Sequence, residues 1–198
     1  MSTHAKIRDR LRRQGRGAVF SASDFADLGS RAAVDQALSR LARQGTIRRL
    51  HRGTYDFPLK SVRVGLRSPD PDRVAKAATR RFGARVQRSG AVAAYVLGLS
   101  DQVPARPAYL TDARSRTLQA GNRQVVLRNA GPRNLVNAGT VAADVHQALR
   151  FLGRHGVDDR VIAHLRSRLT EQDKACLVRD GAAFPAWVQD VMKRVAAP

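Results

Sequence analysis

The stretch VFSASDFADLGSRAAVDQALSRLARQGTIRRLHRGTYDF (Val19–Phe57) decides the fold of the N-terminal region. In order, it predicts a short helix, a tight turn, a longer helix and a basic hairpin. The turn is placed at Gly29, since a left-handed backbone costs least in glycine. Ser30 has the side chain and the position of an N-cap for the longer helix, and Gly45 is expected to end that helix. Gly53 permits a turn between two short strands.

The longer helix of this stretch has an apolar face and a polar face. The apolar residues recur at the spacing of one side of a helix, and they are Ala33, Val34, Ala37, Leu38 and Leu41. The residues expected to face outward are Arg31, Gln36, Arg40 and Arg43. Because a basic hairpin follows two capped helices, the pattern predicts a winged helix-turn-helix that binds double-stranded DNA.

In such a module the second helix enters the major groove, with its first residues nearest the base edges. The predicted DNA-binding residues are therefore Ser30, Arg31, Ala33, Gln36, Arg40, Arg48, Arg49, His51 and Arg52. Arg31 is suited to a bidentate contact with guanine and Gln36 to one with adenine, each worth roughly 1–3 kcal/mol of discrimination. A phosphate contact by Arg31 is an equally open interpretation. Strand alternation places Arg48 and Arg49 on opposite faces, so only some of the hairpin cations can face DNA.

The net charge of the chain indicates a polyanionic partner. The 198 residues include 36 Lys and Arg against 16 Asp and Glu, a formal charge of +20. Neutralising phosphates with such a surface releases counterions and drives association. The excess is uneven: residues 1–60 carry +8 and residues 61–137 carry +10, whereas residues 138–198 carry only +2. The last third is therefore expected to be a packing or partner region.

The sequence also predicts where the protein acts. Cys176 is the only cysteine, so no internal disulfide is possible, as is typical of a reducing compartment. No signal peptide is recognisable, and the longest apolar run, AVAAYVLGL at residues 91–99, is too short to span a bilayer. We expect a cytoplasmic protein without a membrane partner.

The whole chain is predicted to have an α+β fold that is mostly helical. The winged helix-turn-helix domain is assigned to residues 1–60, a linker to 61–70, and a mixed second domain to 71–198. This second domain has a buried helix in SGAVAAYVLGL and a short β section at residues 107–129. Four helical patterns then follow, at about 140–153, 157–168, 171–180 and 184–195. Thr170 and Asp173 are spaced as a capping box.

At the second domain the sequence becomes recognisable. The segment GLSDQVPARPAYLTDARSRTLQAGNRQVVLRNAGPRNL (Gly98–Leu135), preceded by SPDPDRVAKA and RLHRGTYDFP, resembles the AbiEi family of antitoxins. These antitoxins belong to type IV, abortive-infection toxin–antitoxin systems of bacteria. The resemblance implies a winged helix that represses its own operon by binding inverted repeats in the promoter. It also implies a C-terminal domain that counteracts a neighbouring toxin with a nucleotidyltransferase fold, with or without direct contact.

A second basic surface is predicted around the β section, consisting of Arg106, Arg114, Arg116, Arg123 and Arg128. Strand alternation would place Arg114 and Arg116 on one face. Three interpretations stay open: a phosphate track beside the winged helix, a surface for an acidic toxin or RNA, and a solvated face without a partner. An alternative function follows from the second, in which the protein mainly sequesters a toxin and DNA binding is secondary.

No catalytic or metal-binding motif is recognisable, so we expect a protein that is not an enzyme and needs no cofactor. The sequence has no phosphate-binding glycine motif, no H-E-x-x-H and no cysteine pair. His146, His155 and His164 recur every ninth residue, and a helical surface explains this spacing without a metal. The acids of the middle third lack the clustering that a metal-dependent nuclease needs.

Overall fold

The computed structural model describes residues 1–63, 65–80 and 82–197. Val64, which lies in the predicted linker, Arg81 and Pro198 are outside the described residues. The chain has the expected α+β fold, dominated by helices and with small sheets. No helix in the described part of the chain is both long and apolar enough to cross a bilayer.

The chain divides into two compact units. The first contains Met1–Ala84 and Arg116–Val126, and the second contains Arg85–Ser115 and Leu127–Pro198. The predicted boundary at residues 61–70 does not coincide with this division, because the helix that begins at Pro71 is held against the N-terminal elements. Arg73 Nη1 donates a hydrogen bond to Gly17 O at 3.1 Å, and Arg80 pairs with Asp24 at 2.9 Å.

The first unit consists mainly of short elements. In chain order they are α1 (Thr3–Gln14), β1 (Val19–Ser21), a 3-10 helix (Ala22–Leu28), α2 (Arg31–Arg43), β2 (Arg48–His51), β3 (Thr54–Asp56), β4 (Lys60–Ser61), β5 (Gly65–Leu66) and α3 (Pro71–Arg80). β3 lies between β1 and β2 and is antiparallel to both. The first part of the predicted linker belongs to a small hairpin, in which β4 pairs with β5.

An aromatic and aliphatic core holds the first unit together. Phe20 packs edge-to-face on Phe25 at a centroid distance of 5.3 Å and lies opposite Tyr55 in the sheet. Ile7 and Leu11 of α1 are buried against this core, as their spacing predicts. Burying such side chains contributes about 1.5–3 kcal/mol each and fixes α1 against α2.

The junction before α2 is extended rather than left-handed. Gly29 has φ 161° and ψ −179°, so the left-handed conformation predicted for it is wrong. A close approach requires glycine instead, because a Cβ atom at position 29 would lie 2.7 Å from Thr3 Oγ1 and 3.2 Å from Thr3 Cγ2. Thr3 Oγ1 donates to Leu28 O at 3.3 Å, so the start of α1 lies directly over this junction.

The later elements follow the sequence closely. They are β6 (Val86–Arg88), α4 (Gly90–Val96), β7 (Ala108–Thr111), β8 (Arg116–Ala120), β9 (Arg123–Asn129), a 3-10 helix (Pro132–Leu135), α5 (Val141–Leu152), a 3-10 helix (Arg154–Gly156), α6 (Asp159–Arg168), α7 (Glu171–Gly181) and α8 (Ala186–Ala196). The predicted strands and C-terminal helices are confirmed to within one or two residues. The strand order of the sheet is β6-β7-β9-β8, and the division between the units passes through β9.

Helices α4 to α8 form the core of the second unit. Ala93 and Ala94 of α4 and Leu149 of α5 are fully buried in it. Small residues in α4 allow it to lie close to α5.

The capping box predicted at the start of α7 is confirmed, since Thr170 Oγ1 accepts from Asp173 N at 3.2 Å and Asp173 Oδ2 accepts from Thr170 N at 3.1 Å.

A buried polar network ties β6 to α5. Gln87 Nε2 donates to Asp144 Oδ1 at 2.7 Å, and Arg88 Nη1 donates to Asp144 Oδ2 at 2.5 Å. Gln87 Oε1 accepts from Gly139 N at 2.8 Å, so both ends of the buried amide are hydrogen-bonded. The network compensates the Asp144 carboxylate, which is only 8% exposed.

Candidate nucleic-acid interface

Helix α2 presents a polar face opposite its buried face. Ser30 Oγ accepts a hydrogen bond from Ala33 N at 3.3 Å, which confirms the predicted N-cap. The side chains that turn inward are Val34, Ala37, Leu38 and Leu41, whereas Ala33 is half-buried. The predicted outward residues are exposed, namely Arg31, Gln36, Arg40 and Arg43. The amphipathic pattern thus places three guanidinium groups on one helix in contact with solvent.

The cations of this face differ in their partners. Arg31 Nε donates to Asp35 Oδ2 at 2.8 Å, one turn further along α2, and the two side chains are 70% and 52% exposed. An exposed pair of this kind contributes about 0–1 kcal/mol and is screened by salt, so a phosphate or a base can replace Asp35. Within the described residues, the side chains of Gln36, Arg40 and Arg43 make no hydrogen bond or ion pair.

The hairpin of β2 and β3 exposes its tip. Gly53 has φ 76°, which glycine adopts without strain, and it makes the turn that the sequence predicts. The register shifts between Arg49 and His51, so the hairpin contains a bulge next to its tip. Arg49, His51 and Arg52 are exposed, and no hydrogen bond or ion pair engages their side chains in the described part of the chain.

Arg48 has a different environment from the other hairpin cations. Its Nε and Nη2 donate to the two carboxylate oxygens of Asp56 at 3.1 and 2.7 Å, and Nη2 also donates to Arg67 O at 3.1 Å. The Asp56 side chain is only 2% exposed, so this bidentate pair compensates a buried charge at the base of the hairpin. Arg48 is therefore paired within the described chain, unlike Arg49, His51 and Arg52, and the DNA contact predicted for it stays a prediction.

The predicted second basic set does not lie on one regular strand face. Arg114 precedes β8, which begins at Arg116, so strand alternation does not extend to Arg114 and does not place the two side chains on one face. Arg116 Nη2 donates to Ala78 O at 2.7 Å, and its guanidinium lies 5.2 Å from the centre of the Phe82 ring. Arg106, Arg114 and Arg128 are exposed in the second unit, and Arg123 is exposed in the first.

The histidines of the C-terminal helices do not share a surface. His146 is 6% exposed and stacks on Phe184 at a centroid distance of 4.6 Å, so the surface position predicted for it is wrong. Burial, and after it the charge of Arg150, lower the pKa of His146 from 6.5 to about 4. His164 Nε2 lies 3.0 Å from Leu97 O, and His155 is exposed. Among the described residues, no three His, Cys, Asp or Glu side chains are arranged to hold a metal ion.

A comparison with protein families adds one finding to this geometry. The model of a family of unknown function, DUF6088, matches residues 6–177. The chain belongs to the DUF6088 family. The match includes all of α2 and the β2–β3 hairpin and extends into α7. No curated protein matches the chain.

In this DUF6088 protein, sequence reasoning missed a group of cations around the end of α2. Arg8, Arg12 and Arg16 are exposed, and they line a cavity together with Arg49 of β2 and Lys60 of β4. The spacing of Arg8 and Arg12 already indicates one face of α1. What the sequence did not reveal is that β4 and β5 form a hairpin that brings Lys60 and Leu66 to the same place.

Proposed function

We propose that residues 1–57 form a winged helix-turn-helix that binds double-stranded DNA. The element order of α1, β1, 3-10 helix, α2, β2 and β3, with β3 central in the sheet, supports this assignment. In it α2 is the recognition helix and the β2–β3 hairpin is the wing. The observation that carries the proposal is the set of exposed cations without a carboxylate partner among the described residues, namely Arg40, Arg43, Arg49 and Arg52.

The proposed contacts are divided between base readout and phosphate binding. Arg31 and Gln36 lie in the first two turns of α2, where a recognition helix approaches base edges. Arg40, Arg43, Arg49 and Arg52 bind phosphates, and His51 and Arg52 at the hairpin tip can also enter a narrow minor groove. Arg48 keeps the hairpin in place through Asp56.

The resemblance to AbiEi antitoxins extends the proposal to a biological role. The protein represses its own operon by binding inverted repeats in the promoter, and its second unit counteracts a nucleotidyltransferase-type toxin encoded nearby. It acts by binding rather than by catalysis, and operator binding places it in the cytoplasm. The net charge of +20 supports a nucleic-acid partner, because phosphate neutralisation is favoured by counterion release.

Binding titrations test the DNA part of the proposal. The full protein is titrated with a duplex from its own upstream region and with a scrambled duplex of the same composition. Arg31→Ala is expected to weaken binding to the upstream duplex by about 1–3 kcal/mol. Binding to the scrambled duplex should weaken much less, since a base contact carries sequence information. Arg13→Ala, an exposed arginine of α1 outside the proposed surface, is the control. Equal losses on both duplexes for Arg31→Ala would refute base readout, and failure of the unmodified protein to bind either duplex would refute the function.

Coexpression tests the antitoxin part. The neighbouring gene is expected to arrest growth when induced alone, and coexpression of this protein is expected to restore growth. If the toxin remains lethal in the presence of soluble protein, the antitoxin role is wrong, whatever the DNA titrations show.

Toxin sequestration is the second candidate, and exposed apolar side chains favour it. In the second unit, Tyr95 of α4 is 41% exposed and Phe151 of α5 is 54% exposed. Exposed aromatic side chains are common at protein interfaces. Copurification of the toxin with the tagged protein, lost in Phe151→Ser, would support sequestration, and a monomer that binds only its promoter would support repression.

A further inference from the structure

A basic cavity of about 850 Å³ lies in the first unit, between α1, the end of α2, β2 and the β4–β5 hairpin. Its cationic lining includes Arg8, Arg12, Arg16, Arg49 and Lys60. Arg48 also lines it, but its guanidinium is already paired with Asp56. No Asp or Glu of the described residues lines the cavity. The volume lies within the range of about 300–1,000 Å³ that is typical of small-molecule sites.

Most of these cations are not used by the fold. Within the described chain, the side chains of Arg8, Arg49 and Lys60 form neither ion pairs nor hydrogen bonds. Arg12 approaches Asp9 only to 3.9 Å, at the outer limit of an ion pair. Arg16 donates one N–H to Pro58 O at 3.1 Å and keeps its other donors. The cavity therefore concentrates uncompensated positive charge that the stability of the unit does not require.

The floor of the cavity is apolar. Leu11, Leu41 and Ile47 are buried side chains that line it, and Leu66 borders it while 55% exposed. Phe57 also lines it, with the Arg16 guanidinium 4.9 Å from its ring centre. The amides of Gln44, Gly45 and Thr46 donate to backbone carbonyls at the end of α2. This helix end carries a partial negative charge, which the cations that line the cavity must outweigh. An apolar floor beneath a cationic rim suits a ligand that is itself half apolar and half anionic.

One lining side chain lacks a hydrogen-bond partner. His4 Nε2 is shielded from solvent and has no partner among the described residues. A buried polar atom without a partner is costly, but a ligand in the cavity would reach this shielded nitrogen only if the His4 side chain turned, so His4 is not one of the proposed contacts.

From these observations we propose that the cavity binds a nucleotide, with its phosphates on Arg8, Arg12 and Lys60 and its base over the apolar floor. Guanidinium groups bind phosphate oxygens through paired, charge-assisted hydrogen bonds, and several phosphates use several cations. A DNA backbone track is the weaker explanation, because a duplex lying on the rim would leave the apolar floor unused. The site lies beyond the base-reading face of α2 and does not depend on the DNA-binding proposal.

Calorimetric titration of the full protein tests this site, at about 150 mM salt to screen weak surface attraction. The probes are ATP, GTP, CTP and UTP, with adenosine and inorganic phosphate as the two halves of the ligand. At least one nucleoside triphosphate is expected to bind about tenfold or more tightly than either half, because only the whole ligand uses both rim and floor. If no triphosphate exceeds inorganic phosphate, the proposal is wrong.

Matched variants locate the binding. Arg8→Ala and Arg12→Ala are each expected to lower the affinity for the triphosphate about tenfold, because charge-assisted hydrogen bonds are lost. Arg13→Ala removes the same charge from the same helix at a residue that does not line the cavity, and it should leave binding unchanged. All three side chains are exposed, so circular dichroism should show the same melting curve for each. Equal losses in all three variants would indicate unspecific attraction and overturn the site. The same conclusion would follow if Arg8→Ala and Arg12→Ala weakened only duplex DNA.

Discussion

The buried imidazole of His146 links the stability of the second unit to pH. Burial against Phe184, and then the charge of Arg150, lower its folded-state pKa from 6.5 to about 4. The unfolded chain therefore takes up the proton first as the pH falls. The contribution of the neutral imidazole to the unfolding free energy is fully present above about pH 6.5. It is lost progressively as the pH falls from about 6.5 to 4. Each pKa unit corresponds to about 1.4 kcal/mol, so the total loss is about 3 kcal/mol.

Urea unfolding at several pH values measures this effect. His146→Phe keeps an aromatic ring against Phe184 but cannot titrate, so it should flatten the fall in unfolding free energy between about pH 6.5 and pH 4. His155→Gln removes an exposed histidine and should leave the pH dependence of the parent protein. The same slope in His146→Phe and in the parent would contradict the buried neutral state.

The ion pair of Arg48 with Asp56 is expected to stabilise the hairpin, whereas the ion pair of Arg31 with Asp35 is expected to contribute little to stability. Arg48→Met removes the charge that compensates a carboxylate only 2% exposed, and we expect a loss of about 2–3 kcal/mol in unfolding free energy. Arg31→Ala breaks an exposed pair and should cost less than about 1 kcal/mol. Chemical denaturation compares the two variants. A small, equal effect in both would show that Asp56 does not depend on Arg48.

At the level of secondary-structure elements, the packing of α1 on the junction before α2 predicts that replacing Gly29 by alanine destabilises the protein. Gly29→Ala places a Cβ atom 2.7 Å from Thr3 Oγ1, so either the Thr3 side chain turns and loses its hydrogen bond to Leu28 O or α1 shifts, at a cost of about 1–3 kcal/mol. Thr3→Ala in the same chain removes the clashing atoms and should recover most of that loss. Thermal unfolding of the single and double variants measures the coupling. If Gly29→Ala alone stabilises the protein by about 0.4–1 kcal/mol, as reduced backbone entropy would, the contact is not as described.

Helices and caps were predicted correctly where they depend on interactions between residues close together in the sequence. The Ser30 cap, the apolar stripe of α2 and the capping box at Thr170 depend on residues within one or two turns, and each was found where expected. The strand β6 was missed, because its buried Gln87 is satisfied by Asp144 and Gly139, more than fifty positions away. No pattern within β6 itself reveals those partners.

At the candidate interface, too, the sequence predicted what depends on nearby residues and missed contacts between distant ones. Outward residues of α2 were identified from helical spacing alone, since the buried face fixes the exposed one. The pairing of Arg48 with Asp56 was not predicted, because it depends on the register of β2 with β3. The domain boundary differed because Arg73 and Arg80 bring α3 onto the first unit through contacts distant in sequence.

At the scale of the whole molecule, the excess positive charge predicts strong salt dependence of DNA binding. Four proposed phosphate contacts, by Arg40, Arg43, Arg49 and Arg52, give a slope of about −4 for the logarithm of the binding constant against the logarithm of salt concentration. Arg52→Ala should make the slope shallower by about 1. Fluorescence anisotropy with labelled duplex at several salt concentrations measures both. A slope near zero would mean that phosphate neutralisation does not drive binding.

The central claim is that the outer face of α2 and the tip of the β2–β3 hairpin bind one duplex together. Amide hydrogen exchange of the full protein, with and without duplex from its own upstream region, tests this most directly. Exchange should become slower on DNA binding in both Arg31–Arg43 and residues 51–54, with α7 and α8 unchanged. Slower exchange in only one of the two segments, or in neither while the duplex is bound, would contradict the claim.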